Sequence, residues 1–307
     1  MNEKTRHSSL PPALEAARHD TTGEAGQLSY YVAGDGPPML LLHSINAAGS
    51  AYEIRPIFDM MTRRYRVYAP DLPGFGLSDR SDRLYNPRLM TDAIHEILGV
   101  IAEREGETPV DALALSLSSE FLARAANEDP DRFRTLAFIT PTGFSNRSAH
   151  FGRKRESREV PGLYALLSFP LWSKALFSAL TSKKTIRYFL RKTFGSDDYD
   201  QGLLDYDYLT TKQPGAKNAP LAFVSGRLLS ADALDIYAQL KLPVWMTTAS
   251  KGDFSNFSNP SWAQKQSNWT VVPFDTGALP QFEQPAAFCA AYERFLSMDA
   301  AESNRSA

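Results

Sequence analysis

Cysteine is nearly absent from this chain of 307 residues: Cys289 stands alone, so no intrachain disulfide can form. Such scarcity fits a reducing, cytoplasmic compartment. Histidine is almost as rare, with His7, His19, His43, His95 and His150 making up the whole set of five. Charge of one sign is lacking too. A net charge of −2 leaves no basic surplus to attract a nucleic acid. The first 27 residues are polar, without the apolar core of a secretory signal. Neither a metal-ligand spacing nor a dinucleotide fingerprint occurs, so no cofactor and no metal is expected. What is present is an ordinary apolar share of 43%, in a chain long enough to bury a full core.

Short apolar runs alternate with longer helical patterns, which predicts βαβ units and a mostly parallel sheet. The expected strands are Leu28–Ala33, Met39–His43, Tyr65–Ala69, Val110–Ala114, Thr135–Thr140, Val244–Thr248 and Thr270–Phe274. Several are apolar almost throughout, as strands covered on both faces are. Asn86-Pro87 reads as an N-cap followed by proline at the first helical position, and Leu89, Ala93, Ile94, Ile97 and Ile101 then recur at helical spacing. Asn259-Pro260 repeats that start signal. A last helix is expected from Ala286 to Met298. Residues 143–240 break the alternation. They are helix-rich, punctuated by Pro161, Pro170 and Pro214, and too long for a simple loop. The expected organisation is a disordered tail over 1–26, a core over 27–142 and 241–299, a helical cap over 143–240 and a C-terminal tail over 300–307.

Five segments carry chemistry. Leu40-Leu41-Leu42-His43-Ser44-Ile45-Asn46 is a strand running into a turn, and Asp71-Leu72-Pro73-Gly74-Phe75-Gly76-Leu77-Ser78 is a glycine-rich turn after the next strand. Ala114-Leu115-Ser116-Leu117-Ser118 joins a strand to a helix through small residues. Leu242 to Thr248 is a strand followed by Gly252-Asp253, and Trp269 to Phe274 leads into Asp275-Thr276-Gly277-Ala278-Leu279-Pro280-Gln281-Phe282-Glu283-Gln284-Pro285. In this order the five resemble the α/β-hydrolase superfamily of esterases and lipases, over residues 28 to 298 apart from the cap.

That resemblance implies a doubly covered, mostly parallel sheet and a set of roles. Ser116 takes the nucleophile elbow, where the turn is so tight that its neighbours must be small. The backbone N–H groups of Ile45 and Leu117 take the oxyanion hole, and Asp253 takes the triad acid on a loop about one residue longer than usual. The departures are as informative. Ser44, Ala114 and Ser118 stand where glycine is usual, and Ala278 stands where the family places the histidine that serves as general base. Departures on several separate elements favour natural divergence over a single engineered change. His7 and His19 fall in the expected tail. The family uses His43 structurally, His95 falls mid-helix, and His150 opens the cap. Glu120, four residues beyond Ser116, should point away along its helix.

The cap adds a further pattern. Ten basic residues between Arg153 and Lys192 face only Glu156 and Glu159, a local charge of +8. They flank the apolar, aromatic run from Leu163 to Trp172, which Pro170 and Lys174 keep from spanning a bilayer. Such a segment suits cap helices that pack their apolar side on the sheet edge and solvate their charges, the stronger reading, or an interfacial helix bringing an apolar, lipid-like ligand. Besides non-hydrolytic chemistry, such as a lyase or a decarboxylation run by the oxyanion hole alone, two functional readings follow from the missing base. One is a serine hydrolase of weak or non-standard catalysis on an ester or other apolar small molecule. The other is a non-catalytic pseudo-hydrolase that binds a ligand or a protein partner in the capped pocket.

Overall fold

The computed structural model describes residues 10–144, 157–252 and 260–306, with side chains as far as 298. Asp253 and His150 lie outside the described residues. One eight-stranded sheet organises the chain: β1 (Ala17–Gly23), β2 (Gly26–Ala33), β3 (Pro38–Leu42), β4 (Arg66–Pro70), β5 (Val110–Leu115), β6 (Phe133–Ile139), β7 (Val244–Ala249) and β8 (Trp269–Phe274). Their spatial order is β1-β2-β4-β3-β5-β6-β7-β8, parallel from β4 to β8, with β2 antiparallel to both β1 and β4.

Helices cover both faces. They are α1 (Arg55–Met61), α2 (Pro87–Glu105), α3 (Ser118–Glu128), α4 (Leu163–Ser168), α5 (Ser173–Leu180), α6 (Lys183–Phe194), α7 (Gln201–Thr210), α8 (Asn218–Val224), α9 (Ala233–Ala238), α10 (Pro280–Glu283) and α11 (Pro285–Ser306). Two apolar clusters, one per face, explain the near-continuous apolar strands. On β3, Leu40 and Leu42 join one cluster, while Met39 and Leu41 join the other. Strand β7 divides likewise, with Trp245 turned to the α11 side, where its ring meets Phe288 and Tyr292 at 5.3 and 5.1 Å. Helix α2 begins as its sequence dictates: Asn86 accepts from the Leu89 N–H at 2.9 Å, and Pro87 opens the first turn.

All seven expected strands are present, and one was missed. Residues 10–26 are ordered, against the expectation of a disordered tail to residue 26. Strand β1 runs along the sheet edge with most of its side chains exposed, so it needs little apolar sequence, and its order comes from the backbone ladder to β2. Ahead of it, Leu10, Ala13 and Leu14 are buried, the Ala13 N–H donates to the Tyr31 hydroxyl, and the Tyr206 hydroxyl donates to the Pro11 carbonyl. His19 therefore lies in a strand and stacks on Tyr30. At the other end α11 runs through the residues expected as a C-terminal tail, as far as Ser306. The start signal at Pro260 yields only a short 3-10 turn over Ala263–Lys265.

The chain order reverses between β3 and β5, which lie side by side with β4 beyond β3. Open α/β sheets bind ligands at such a reversal, outside the C-terminal strand ends. The segments after β3 and β5 hold His43 to Asn46 and Ser116 to Ser118. Helices α4 to α9, inserted between β6 and β7, touch the loops that leave four strands on that same side. Asn218 donates to the Arg80 carbonyl beyond β4, and α7 packs against the turn over Ala51–Ile54 beyond β3. The end of α6 meets the loops beyond β7 and β8.

Candidate active site

Ser116 sits at the tip of the β5-to-α3 turn with φ of 51°, in the left-handed region that a non-glycine residue enters at a cost of about 1–3 kcal/mol. Its N–H donates to the Ile139 carbonyl at 2.9 Å, and its own carbonyl accepts from Ser119 at 3.1 Å, so neighbouring elements hold the strained turn in place. The residue is half-buried. Among the described residues no side chain hydrogen-bonds its hydroxyl.

The loop after β3 is locked beside it. Ser118, at a position where the family prefers glycine, donates its hydroxyl to the His43 carbonyl at 2.5 Å. Ser44, at the other, gives its N–H and hydroxyl to the buried carboxylate of Glu53 at 2.7 and 3.1 Å. Asn46 donates to the same carboxylate at 2.6 Å. Each serine thus replaces the freedom of a glycine with a specific hydrogen bond. Between these anchors, the N–H groups of Ile45 and Leu117 donate to no group among the described residues, although Ile45 is 3% and Leu117 0% exposed. Buried backbone donors are nearly always paired. Both of these donors lie in the segments that leave β3 and β5, the paired strands at the chain-order reversal.

His43 cannot act as a base in this arrangement. Its Nε2 accepts from the Leu72 N–H at 2.9 Å, which puts the proton on Nδ1, and Nδ1 donates to the Ser44 carbonyl at 2.7 Å. Both ring nitrogens are engaged by backbone. His95 is far from this region, paired with Glu128 on the α2 surface at 3.0 Å. Glu120 is fully committed: its carboxylate accepts from the Thr142 hydroxyl and from the Ser230 N–H at 2.8 Å, and burial raises its pKa. Cys289 is buried in α11, with its thiol pKa pushed up to about 12 by desolvation, so it supplies no nucleophile.

Ala278 lies on the loop after β8. Its carbonyl accepts from the Thr140 hydroxyl at 2.8 Å, and the Thr140 N–H donates to the Thr247 hydroxyl at 3.2 Å. Thr140, with φ of 42°, directly follows Ile139, the residue that anchors Ser116. The Ala278 and Ser116 segments therefore share one support at the end of β6. Sequence reasoning missed Thr140 and Glu53 as site supports, because nothing local to either residue announces its long-range partner. It also missed Asp207 of α7. This side chain is buried with one oxygen lacking any partner, and its carboxyl pKa is raised well above the usual carboxylate range by desolvation, then by the charge of Glu53. Nearby, the Arg80 guanidinium bridges the glycine-rich turn to α7, donating to the Gly76 carbonyl and to Thr210. Burial pushes its pKa down to about 10.

Among the described residues no group of three or more His, Cys, Asp or Glu side chains could hold a metal ion. Nor is any of their helices long and apolar enough to cross a membrane.

Residues 39–291 match the model of the alpha/beta hydrolase family. Two curated relatives are similar over part of their length. The magnesium-chelatase 30 kDa subunit of Rhodobacter capsulatus is 31% identical over 134 residues, 42% of this chain and 44% of that protein. The haloalkane dehalogenase of Agrobacterium fabrum is 28% identical over 144 residues, 46% of this chain and 44% of that protein. The chain thus spans less than half the length of these relatives. Among solved structures, a probable hydrolytic enzyme from Pseudomonas aeruginosa superposes with a TM-score of 0.71 at 19% identity, covering 94% of this chain and 96% of that one. An epoxide hydrolase does so with a TM-score of 0.72 at 20% identity, covering 92% and 99%. At that identity the likeness speaks for the fold.

Proposed function

The chain belongs to the alpha/beta hydrolase family, and from that premise we propose that Ser116 is the nucleophile of a slow, base-deficient serine hydrolase. Its substrate is an ester or another apolar, lipid-like carbonyl compound held beneath the inserted helices, which serve as a cap. The observation that carries this reading is the strained turn at Ser116, whose hydroxyl no described side chain hydrogen-bonds, together with the buried Ile45 and Leu117, whose N–H groups donate to no described group. The Ser116 oxygen attacks the carbonyl carbon as water takes its proton, and the carbonyl oxygen, as it gains charge, accepts from those two donors. Collapse breaks the ester C–O bond and releases the alcohol, reprotonated from water. A second water then hydrolyses the acyl-serine to the free acid and restores the Ser116 hydroxyl. Preorganised donors aimed at developing charge are worth on the order of 10²–10³ in rate apiece.

What holds the rate down is proton transfer. A serine hydroxyl is a weak nucleophile near neutrality unless a base removes its proton. With Ala278 at the family's histidine position, both nitrogens of His43 engaged and no described side chain hydrogen-bonded to the Ser116 hydroxyl, the acceptor in this proposal is water. In subtilisin, loss of the histidine alone lowers turnover by on the order of 10⁶, and about 10³–10⁴ over water survives through oxyanion stabilisation and binding. Residual hydrolysis of that size is expected here. The resemblance assigns Asp253, which lies outside the described residues, as the acid that would orient an imidazole, and Ala278 supplies none.

A second reading is favoured by the same unaccepted hydroxyl: the pocket binds an apolar ligand or a protein partner without turning anything over. A fluorophosphonate probe separates the two. Slow labelling that Ser116→Ala abolishes and Ala278→His accelerates at least about 100-fold supports the hydrolase. Complete silence of the natural protein, with activity appearing only in Ala278→His, would leave the binding role standing and end the catalytic one.

A further inference from the structure

Seven of the eleven exposed large apolar side chains among the described residues fall between 160 and 189, in or beside α4 to α6, and α5 packs against both α4 and α6. Leu171 is 81% exposed at the turn between α4 and α5, next to Phe169 and Trp172, whose rings pack at 4.6 Å. The Trp172 indole N–H donates to the Leu166 carbonyl at 2.9 Å, which holds this turn as a unit. On α6, Ile186, Leu190 and Phe194 already face the interior, yet Tyr188 and Phe189 also stand in solvent. An amphipathic helix packed on a core has no need of them there. Soluble proteins rarely expose so many large apolar side chains on consecutive, packed helices without a use.

Charge accompanies the patch. Helices α5 and α6 carry six basic residues, and no acidic residue occurs from 160 to 196. Lys183 pairs with Asp205 and Arg191 with Asp197. Lys174 and Lys184 are exposed without any carboxylate among the described residues, and Arg187 donates only to the Tyr199 hydroxyl. Exposed aromatic and leucine side chains rimmed by uncompensated lysines match an anionic bilayer surface, where apolar groups enter the acyl boundary and ammonium groups meet headgroups.

We propose that the α4–α6 face docks on anionic lipid membranes. The docked face is also wired to the site, since Thr193 in the last turn of α6 accepts from the Ala278 N–H at 2.7 Å. Docking does not depend on the chemistry of Ser116.

The test is vesicle co-sedimentation of the full chain with phosphatidylcholine vesicles, with and without an equal share of phosphatidylglycerol. Trp172 emission is followed against bromine-labelled lipid. The other indoles report little, because Trp245 and Trp269 are buried and Trp262 half-buried. The expected result is binding that requires phosphatidylglycerol, weakens with salt and quenches Trp172. Lys174→Glu with Lys184→Glu should weaken it by on the order of tenfold or more. Leu171→Asp with Phe189→Asp should abolish quenching, while Ser116→Ala binds as the natural protein does. No binding at low salt, or binding indifferent to both double variants, overturns the proposal. So does a lipid-free dimer that Leu171→Asp with Phe189→Asp dissociates, since a second copy would then cover the face. Unchanged thermal melting of the two double variants, whose four positions are exposed, separates these results from misfolding.

Discussion

The Ala278 N–H donates to the Thr193 carbonyl at 2.7 Å, which pins the loop after β8 beneath the C-terminal end of α6. The contact is so close that Gly277 lies directly against the backbone of Thr193 and Phe194, with no space for a Cβ. Replacing Gly277 with Ala must therefore push α6 off the loop. Overpacking against backbone that cannot yield is expected to destabilise by at least about 2 kcal/mol. Urea unfolding checks this, and an unchanged midpoint would show that α6 is not seated on the loop as described.

The strain at Ser116 has its own signature. Both Ser116→Ala and Ser116→Gly delete the hydroxyl, but only glycine relaxes at φ of 51°. The glycine variant should be the more stable of the pair by about 1 kcal/mol, although glycine is ordinarily the poorer residue beside a strand or helix. Parallel thermal melts decide it, and equal stability would mean the turn is unstrained.

Asp207 should make stability depend on pH. Burial and the Glu53 charge raise its pKa in the folded protein, so the folded state holds the proton more tightly than the unfolded chain. That contribution is complete below about pH 3.9, the ordinary carboxyl value, and is lost as pH rises toward the folded pKa, by up to about 1.4 kcal/mol per pH unit. Asp207→Asn carries no such proton. It should exceed the natural protein in stability at pH 7, with the difference closing toward pH 4. Denaturant titrations across that range measure it, and a gap that fails to shrink on acidification would refute a raised Asp207 pKa.

Ser118 and Ser44 look like degraded glycines, but the hydrogen bonds argue otherwise. Removing the Ser118 hydroxyl leaves the buried His43 carbonyl without its 2.5 Å donor. Ser118→Ala is expected to destabilise by about 1 kcal/mol. A variant as stable as the parent would make the serine incidental.

Much was legible before any coordinates. Runs such as Met39 to Leu42 and Val110 to Leu115 must be doubly covered strands, Asn86-Pro87 must start a helix, and Ala114 to Ser118 must turn tightly. Each of these rests on neighbours a few residues apart. The glycine-to-serine departures were legible as well, but their meaning was not, because the partner of Ser118 lies 75 residues away. Strand β1 escaped notice because an exposed edge strand is specified by backbone pairing rather than by apolar side chains.

The amino-acid order alone determined the alpha/beta hydrolase sheet and the tight turn that carries Ser116 at the end of β5. Tertiary structure decided the rest: that both nitrogens of His43 are spent on backbone, that Thr140 ties the Ala278 loop to the Ser116 support across 138 residues, and that α6 clamps Gly277. The physical reason is range. Helix, strand and turn preferences act over a few bonds, whereas a donor finds its acceptor, and a carboxyl its burial, only when packing brings distant segments together.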